Sequence, residues 1–189
     1  VNTEKIKPSF QPLEIKNIVT FLEGESTTLS EESFASNNPA KEMAIKLKDK
    51  IPVIIVADFL EGAAHTIRNP FHETAKQFTL HFAIPELNHH LLEGLTFPKE
   101  LKNLLYFIFV QSNIYDKRNI KRMTLTQEVI KNNNIPYETI NLSGYSALTQ
   151  VFELIQWGSW VTFYLAMLHD IDPSEIPWVD YFKKKLSAK

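Results

Sequence analysis

The sequence predicts an α/β fold, a parallel sheet of four or five strands flanked by helices, and three observations carry that prediction. Ile51-Pro-Val-Ile-Ile-Val-Ala57 is a continuous, largely β-branched run, the pattern of a strand buried on both faces of a parallel sheet. Strand-like runs then alternate with helical periodicity, which is how βαβ units with right-handed crossovers read. The chain has 189 residues and 44% apolar content. At about 150 residues per domain that is one domain with an appendage, large enough to bury a core.

The elements follow in order. Leu13, Ile15, Ile18, Val19 and Leu22 recur at mostly helical spacing, so a helix is expected from Pro12 to Leu22, with Gly24 as its stop. Glu25 to Asn38 is rich in Ser, Thr, Glu and Asn, with only Leu29, Phe34 and Ala35 to pack, and reads as a linker with one turn of helix. Residues 1–38 are therefore taken as helix and linker, and residues 39–189 as the domain. Pro39 after Asn38 opens a helix with Met43, Ala44 and Leu47 on one face. After the first strand, Phe59 to Lys76 is helical with Pro70 as a kink. Strands are expected at Phe78–Ile84, Leu104–Gln111 and Tyr137–Leu142, the last preceded by a polar helix from Lys117 to Asn133. The remainder is helical, from Ser146 to His169 and from Trp178 to Leu186.

Composition excludes several function classes. Twenty Lys and Arg against twenty-two Asp and Glu give a net charge of −2, no basic field for a phosphate backbone, so nucleic acid is not an expected partner. Without cysteine there is no disulfide framework, thiolate metal site or thiol nucleophile. The stretch from Tyr145 to Leu168 is interrupted by Gln150, Glu153, Gln156 and Gly158, so no membrane span is expected and the setting is taken as cytoplasmic. Five glycines leave neither G-x-G-x-x-G nor G-x-x-x-x-G-K-[ST], which removes the usual support for a nucleotide-dependent oxidoreductase. Asp58-Phe-Leu-Glu61 would present negative charge to a phosphate. Val1-Asn-Thr-Glu-Lys5 has neither an initiator Met nor a signal-peptide pattern, which suits a segment of a longer chain.

Chemistry-bearing side chains are densest between Arg68 and Glu93, among them His72, Glu73, Lys76, Glu86, Asn88, His89 and His90. Glu73 ends a helix and His89 follows the next strand, so the two are expected to face one cleft. Glu73 and Lys76 also read as an exposed i,i+3 pair at a helix end. His89-His90 lacks the companions of a zinc site, and metal binding is not expected. Ser143, His169 and Asp170 form a conceivable triad without a G-x-S-x-G elbow, and Ser143-Gly144 reads more simply as a turn. The basic run Lys117-Arg-Asn-Ile-Lys-Arg122 reads as a solvated helix face, and Trp157, Trp160, Phe163 and Tyr164 as core or a dimer seam.

These residues resemble a known family. His72-Glu73-Thr74-Ala75-Lys76 and Pro85-Glu86-Leu87-Asn88-His89-His90 are similar to the Asn-Glu-Asn-Ala-Lys and Pro-Glu-Leu-Asn-His-Asn segments of the second sugar-isomerase (SIS) domain in bifunctional phosphoglucose/phosphomannose isomerases. The resemblance returns at Gly158-Ser-Trp-Val-Thr-Phe-Tyr-Leu-Ala166, Asp172-Pro173 and Phe182-Lys-Lys-Lys-Leu186, covering about Pro39 to Leu186. It implies an SIS-type three-layer sandwich forming the carboxy-terminal half of an aldose–ketose isomerase. In such an enzyme Glu73 would move a proton through a cis-enediol, His89 would assist ring opening and Lys183 would polarise the substrate. A carboxylate and an imidazole suit those tasks near neutral pH.

The resemblance further implies Arg68, Asn88 and His90 as substrate-binding residues, no cofactor, and a homodimer whose active site takes its His from the neighbouring subunit. The phosphate would be gripped by an upstream SIS domain, for which nothing in residues 1–38 substitutes. The chain departs from the family where Thr66, Arg68 and Pro70 replace Arg, Lys and Gln, and where His90 replaces Asn. The alternative from another class is a non-catalytic SIS module that binds a sugar phosphate or mediates dimerisation, since fold does not fix function.

Overall fold

The computed structural model describes residues 12–188. Helix α1 spans Pro12–Leu29 and α2 Pro39–Leu47, followed by β1 (Ile51–Ala57), α3 (Glu61–Glu73) and β2 (Leu80–Ile84). Two single-turn helices, α4 (Leu91–Gly94) and α5 (Leu101–Leu104), lead to β3 (Leu105–Gln111), α6 (Lys117–Asn132), β4 (Tyr137–Asn141), α7 (Ala147–Leu168) and α8 (Pro177–Ser187). The four strands are parallel in the order β2-β1-β3-β4, with Val53 opposite Leu80, Ile54 opposite Ile108 and Phe109 opposite Thr139. The expected α/β architecture is present, with four strands.

Burial follows sheet position. Every residue of β1 after Ile51 and of β3 before Gln111 is buried, because both strands are central and covered on two faces. The edge strands β2 and β4 are mostly half-buried. Helices α2 and α3 pack with α7 on one face of the sheet, while α6 packs on β3 and β4 and meets α4. Right-handed crossovers in opposite directions from the β1/β3 centre place α3 and α6 on opposite faces. Gly158 permits the close approach of α7 to α3: a Cβ there would meet Ile67 Cγ2 at 2.8 Å.

Two sequence expectations are corrected here. Helix α1 does not stop at Gly24 but runs to Leu29, so the first five residues of the expected linker are helical. A glycine inside a helix costs only about 1 kcal/mol relative to alanine, and the packing of α1 on α7 offsets it. Ile18 and Leu29 are buried, Gln156 Nε2 donates to Leu22 O at 3.0 Å, and the Tyr164 hydroxyl donates to Leu29 O at 2.6 Å. Asn38 then closes the connection. Its carbonyl caps α2 by accepting from Ala40 N and Lys41 N, and its amide donates to Leu29 O and Ser30 O.

The second correction concerns α7. Its 22 residues carry one charge, Glu153, and by length and composition alone this helix is long and apolar enough to cross a membrane. The polar interruptions do not shorten it because they face inward. Gln150, Glu153 and Thr162 are buried with partners: Gln150 Oε1 accepts from Ser112 Oγ at 2.6 Å and Glu153 accepts from Ser143 N at 2.9 Å. Trp157 and Tyr164 also lie within the chain's own core, which removes them from an exposed dimer seam. Trp160 packs partly against that core, and Phe163 is exposed.

Candidate functional site

In open α/β sheets the crevice outside the carboxyl ends of the strands, where the strand order diverges, is the usual ligand position. Here that position, between β1 and β3, is closed by the chain's own side chains. The Tyr115 hydroxyl accepts from Ala57 N at 3.1 Å and donates to Val110 O at 3.2 Å, and its burial pushes the phenol above its ordinary pKa. Asp58, in the left-handed region with φ 49°, accepts from Asp116 N at 3.0 Å and from Asn119 Nδ2 at 2.6 Å. A carboxylate held by the loop and first turn of α6 therefore stands at the mouth of that crevice. Sequence reading noted the charge of Asp58 but missed this clamp, since its partners lie about sixty residues away.

Glu73 is at the other end of the sheet. Helix α3 runs back from the carboxyl end of β1, so its last residue stands beside the start of β2. His72 anchors that corner: Thr79 N donates to His72 Nε2 at 3.0 Å, and the ring stacks on Phe78. Lys76, also left-handed with φ 53°, does not pair with the Glu73 carboxylate as the i,i+3 reading expected. Its ammonium turns back to the main chain, donating to Glu73 O at 2.7 Å, Asp172 O at 3.2 Å and Pro173 O at 3.3 Å.

Those bonds pin the α7–α8 connection against the end of α3. Glu73, His72, Lys76, Ile176, Trp178 and Val179 line the resulting groove of about 530 Å³. Among the described residues no cation or hydrogen-bond donor occupies the Glu73 carboxylate. Lys183 lies further along α8, the helix whose first turn forms the groove wall. No residue of α8 is buried, and Trp178, Phe182 and Leu186 expose an apolar stripe at i, i+4, i+8 spacing.

His89 is in the helical turn Glu86–His89 that follows β2. It is exposed, whereas its neighbours are engaged. Asn88 Nδ2 donates to Thr126 Oγ1 on α6 at 2.8 Å, and His90 Nε2 meets Glu86 Oε2 at 2.9 Å. Glu73 and His89 therefore stand at opposite ends of β2, whose five residues span about 16 Å at about 3.3 Å per residue. The expectation that they face one cleft is corrected for a single chain: a strand between them carries the chain from one edge of the sheet to the other.

Arg68 lies midway. Its Nη1 is 3.5 Å from His81 Nδ1 on β2, His81 stacks on His65, and Arg68 Nε is buried without a partner. Burial, then Arg68 and then His65 hold the His81 pKa below its ordinary value. The triad reading fails on distance. Ser143 precedes α7 and His169 follows it, and 22 helical residues at about 1.5 Å each separate them by about 33 Å. His169 instead pairs with Gln77 Oε1 at 2.8 Å. Among the described residues no three His, Asp or Glu side chains are grouped to hold a metal ion.

Residues 36–186 match the family described as bacterial phospho-glucose isomerase C-terminal SIS domain. A bifunctional phosphoglucose/phosphomannose isomerase of Caldicellulosiruptor bescii is 31% identical over 151 residues, 79% of this chain and 44% of the relative. One of the same name from Thermoplasma volcanium is 28% identical over 165 residues, 86% of this chain and 52% of the relative. The chain thus spans about half the length of these relatives. Among solved structures, a glucose-6-phosphate isomerase like protein of Thermus thermophilus shares the fold with a TM-score of 0.73 at 21% identity, covering 87% of this chain and 55% of the other. The chain belongs to the family of bacterial phospho-glucose isomerase C-terminal SIS domains.

Proposed function

We propose that this chain supplies the proton-transfer half of an aldose–ketose isomerase for sugar phosphates: glucose 6-phosphate, fructose 6-phosphate and mannose 6-phosphate. The observation that carries the reading is the Glu73 carboxylate, fixed at a helix end beside a groove and left without a partner by Lys76. In the open-chain aldose, Glu73 takes the C2 proton while the carbonyl oxygen gains one, giving a cis-enediol. Return of the proton to C1, with loss of the O2 proton, yields the ketose. His89 of a second copy protonates the ring oxygen for opening, and Lys183 polarises the carbonyl. A homodimer is required because Glu73 and His89 of one chain lie a strand apart. The phosphate is held by an amino-terminal SIS half, a division supported by the Asp58 and Tyr115 clamp that closes this chain's own crevice.

The second reading, a sugar-phosphate-binding or dimerising module, is favoured by the exposure of Glu73, His89 and Lys183 at separate places. Turnover separates the two. Combined with an amino-terminal SIS half, the chain interconverts glucose 6-phosphate and fructose 6-phosphate, and Glu73→Gln lowers kcat by a factor of about 10² to 10⁴, the usual contribution of a positioned base. Full activity in that variant overturns the assignment of Glu73. Absence of turnover in the unmodified assembly favours the module.

A further inference from the structure

A cavity of about 310 Å³ opens outside β4, walled by α1, α2 and α7. It is separate from Glu73, His89 and Lys183, and the isomerase reading uses none of its chemistry. β4 is an edge strand. Phe107 N donates to Pro136 O, and Leu142 N donates to Gln111 O, so the even-numbered residues pair with β3. Thr139 and Asn141, both in the cavity wall, therefore turn backbone N–H and C=O groups away from the sheet.

The wall is acidic: Glu25, Glu42, Glu138 and Glu153 against one cation, Lys46. Lys46 is already bound to Glu42 at 2.8 Å and Glu138 at 2.7 Å. Glu153 accepts from Ser143 N and Gly144 N. Glu25 has no such partner among the described residues. Its burial, and behind that the Glu153 carboxylate, raises its pKa above the ordinary value.

A second, independent observation lies in the same wall. Trp157 is only 5% exposed, yet its indole N–H has no acceptor, and the neighbouring Gln156 Oε1 is buried without a donor. Leaving such a group unpaired costs about 1–3 kcal/mol. The two residues that carry these unpaired atoms, one donor and one acceptor, thus line the same cavity as the half-buried Glu25. The volume is at the lower end of ligand pockets, about 300–1,000 Å³.

We propose that this cavity binds a small organic ammonium compound bearing hydroxyl groups, such as a protonated amino sugar. The ammonium meets Glu25 and Gln156 Oε1, and a hydroxyl oxygen accepts from Trp157 Nε1. A phosphate is opposed by the acidic wall, so this ligand is not the isomerase substrate.

The chain has three Trp, so the indole region of a ¹H–¹⁵N spectrum has three signals. Trp157→Phe assigns the relevant one. If that core variant does not fold, Trp160→Phe and Trp178→Phe assign it by elimination. Titration with millimolar glucosamine shifts the Trp157 signal saturably, Glu25→Gln weakens the affinity at least about tenfold (about 1.4 kcal/mol), and Glu73→Gln leaves it unchanged. Glucose gives no saturable shift. The proposal is overturned by no shift with glucosamine, by an equal response to glucose, by indifference to Glu25→Gln, or by loss of the response in Glu73→Gln.

Discussion

Glu73 and His89 occupy opposite ends of the same five-residue strand, one before β2 and one after it. Their order in sequence makes this unavoidable, because a helix returning from β1 must finish at the amino edge before the next parallel strand begins. A site using both residues must draw them from two chains. The proposed isomerase therefore depends on assembly, and the remaining features of the fold position each half of that assembly.

Gly158 and Ile67 set the spacing of α7 against α3. A Cβ on residue 158 would lie 2.8 Å from Ile67 Cγ2 and 2.9 Å from its Cβ, and Ile67 is fully buried and branched, with nowhere to withdraw. Gly158→Ala is expected to destabilise the chain by about 1–3 kcal/mol, the usual cost of overpacking, despite the higher helix propensity of alanine. Urea denaturation measures the loss, and adding Ile67→Val is expected to recover part of it.

Asn38 joins α1 to α2 with both ends of its amide. The carbonyl accepts from Ala40 N at 3.0 Å and Lys41 N at 3.1 Å, and the NH₂ donates to Leu29 O at 2.9 Å and Ser30 O at 3.0 Å. Asn38→Ala is expected to cost about 1–2 kcal/mol, the usual loss of a helix cap, because Leu29 O keeps the Tyr164 hydroxyl and Ser30 O keeps Ser33 N as donors. Asn38→Asp keeps the cap acceptor but sets a buried carboxylate oxygen against the carbonyls of Leu29 and Ser30, so its denaturation midpoint is expected to fall no higher than that of Asn38→Ala.

His81 makes stability depend on pH. Its folded pKa is depressed by burial, by Arg68 and by His65, with Glu61 the one opposing charge. The unfolded chain therefore takes up this proton near the ordinary histidine value of 6.5 while the folded chain resists it. Stability from this site is present above that value and declines as pH falls through it toward the lower folded pKa. His81→Gln is expected to flatten the slope of unfolding free energy against pH as the pH falls below the ordinary histidine value. An unchanged slope contradicts it.

The fold was legible where periodicity was strong. The β-branched run of β1 gave its ends to the residue, Ile51 and Ala57, and the Asn38-Pro39 start of α2 was readable from capping chemistry. Helix α1 was misread because Gly24 and the polar Glu25–Leu29 turn look like a stop, while the contacts that hold them, Gln156 and Tyr164, come from residues about 135 positions later. The site residues were legible as a family pattern and not as geometry. Spacing suggested one cleft for Glu73 and His89, since nothing local shows that a strand carries the chain to the other edge between them. Lys76 was legible as an exposed cation near Glu73, but its left-handed backbone turns the ammonium onto carbonyls and away from the carboxylate. The Asp58, Tyr115 and Asn119 clamp and the Trp157 cavity arise only from tertiary contact.

The shared site is tested most directly by complementation. Glu73→Gln and His89→Ala variants, each joined to an amino-terminal SIS half, are expected to be inactive alone. Dissociated and reassembled in equal amounts, random pairing makes about half of the dimers mixed by mass action. Each mixed dimer regains one of two sites, because Glu73 of the His89→Ala chain meets His89 of the Glu73→Gln chain. The account predicts recovery of about a quarter of the unmodified activity in the isomerase assay, whereas a mixture that stays inactive while mixed dimers are present contradicts it.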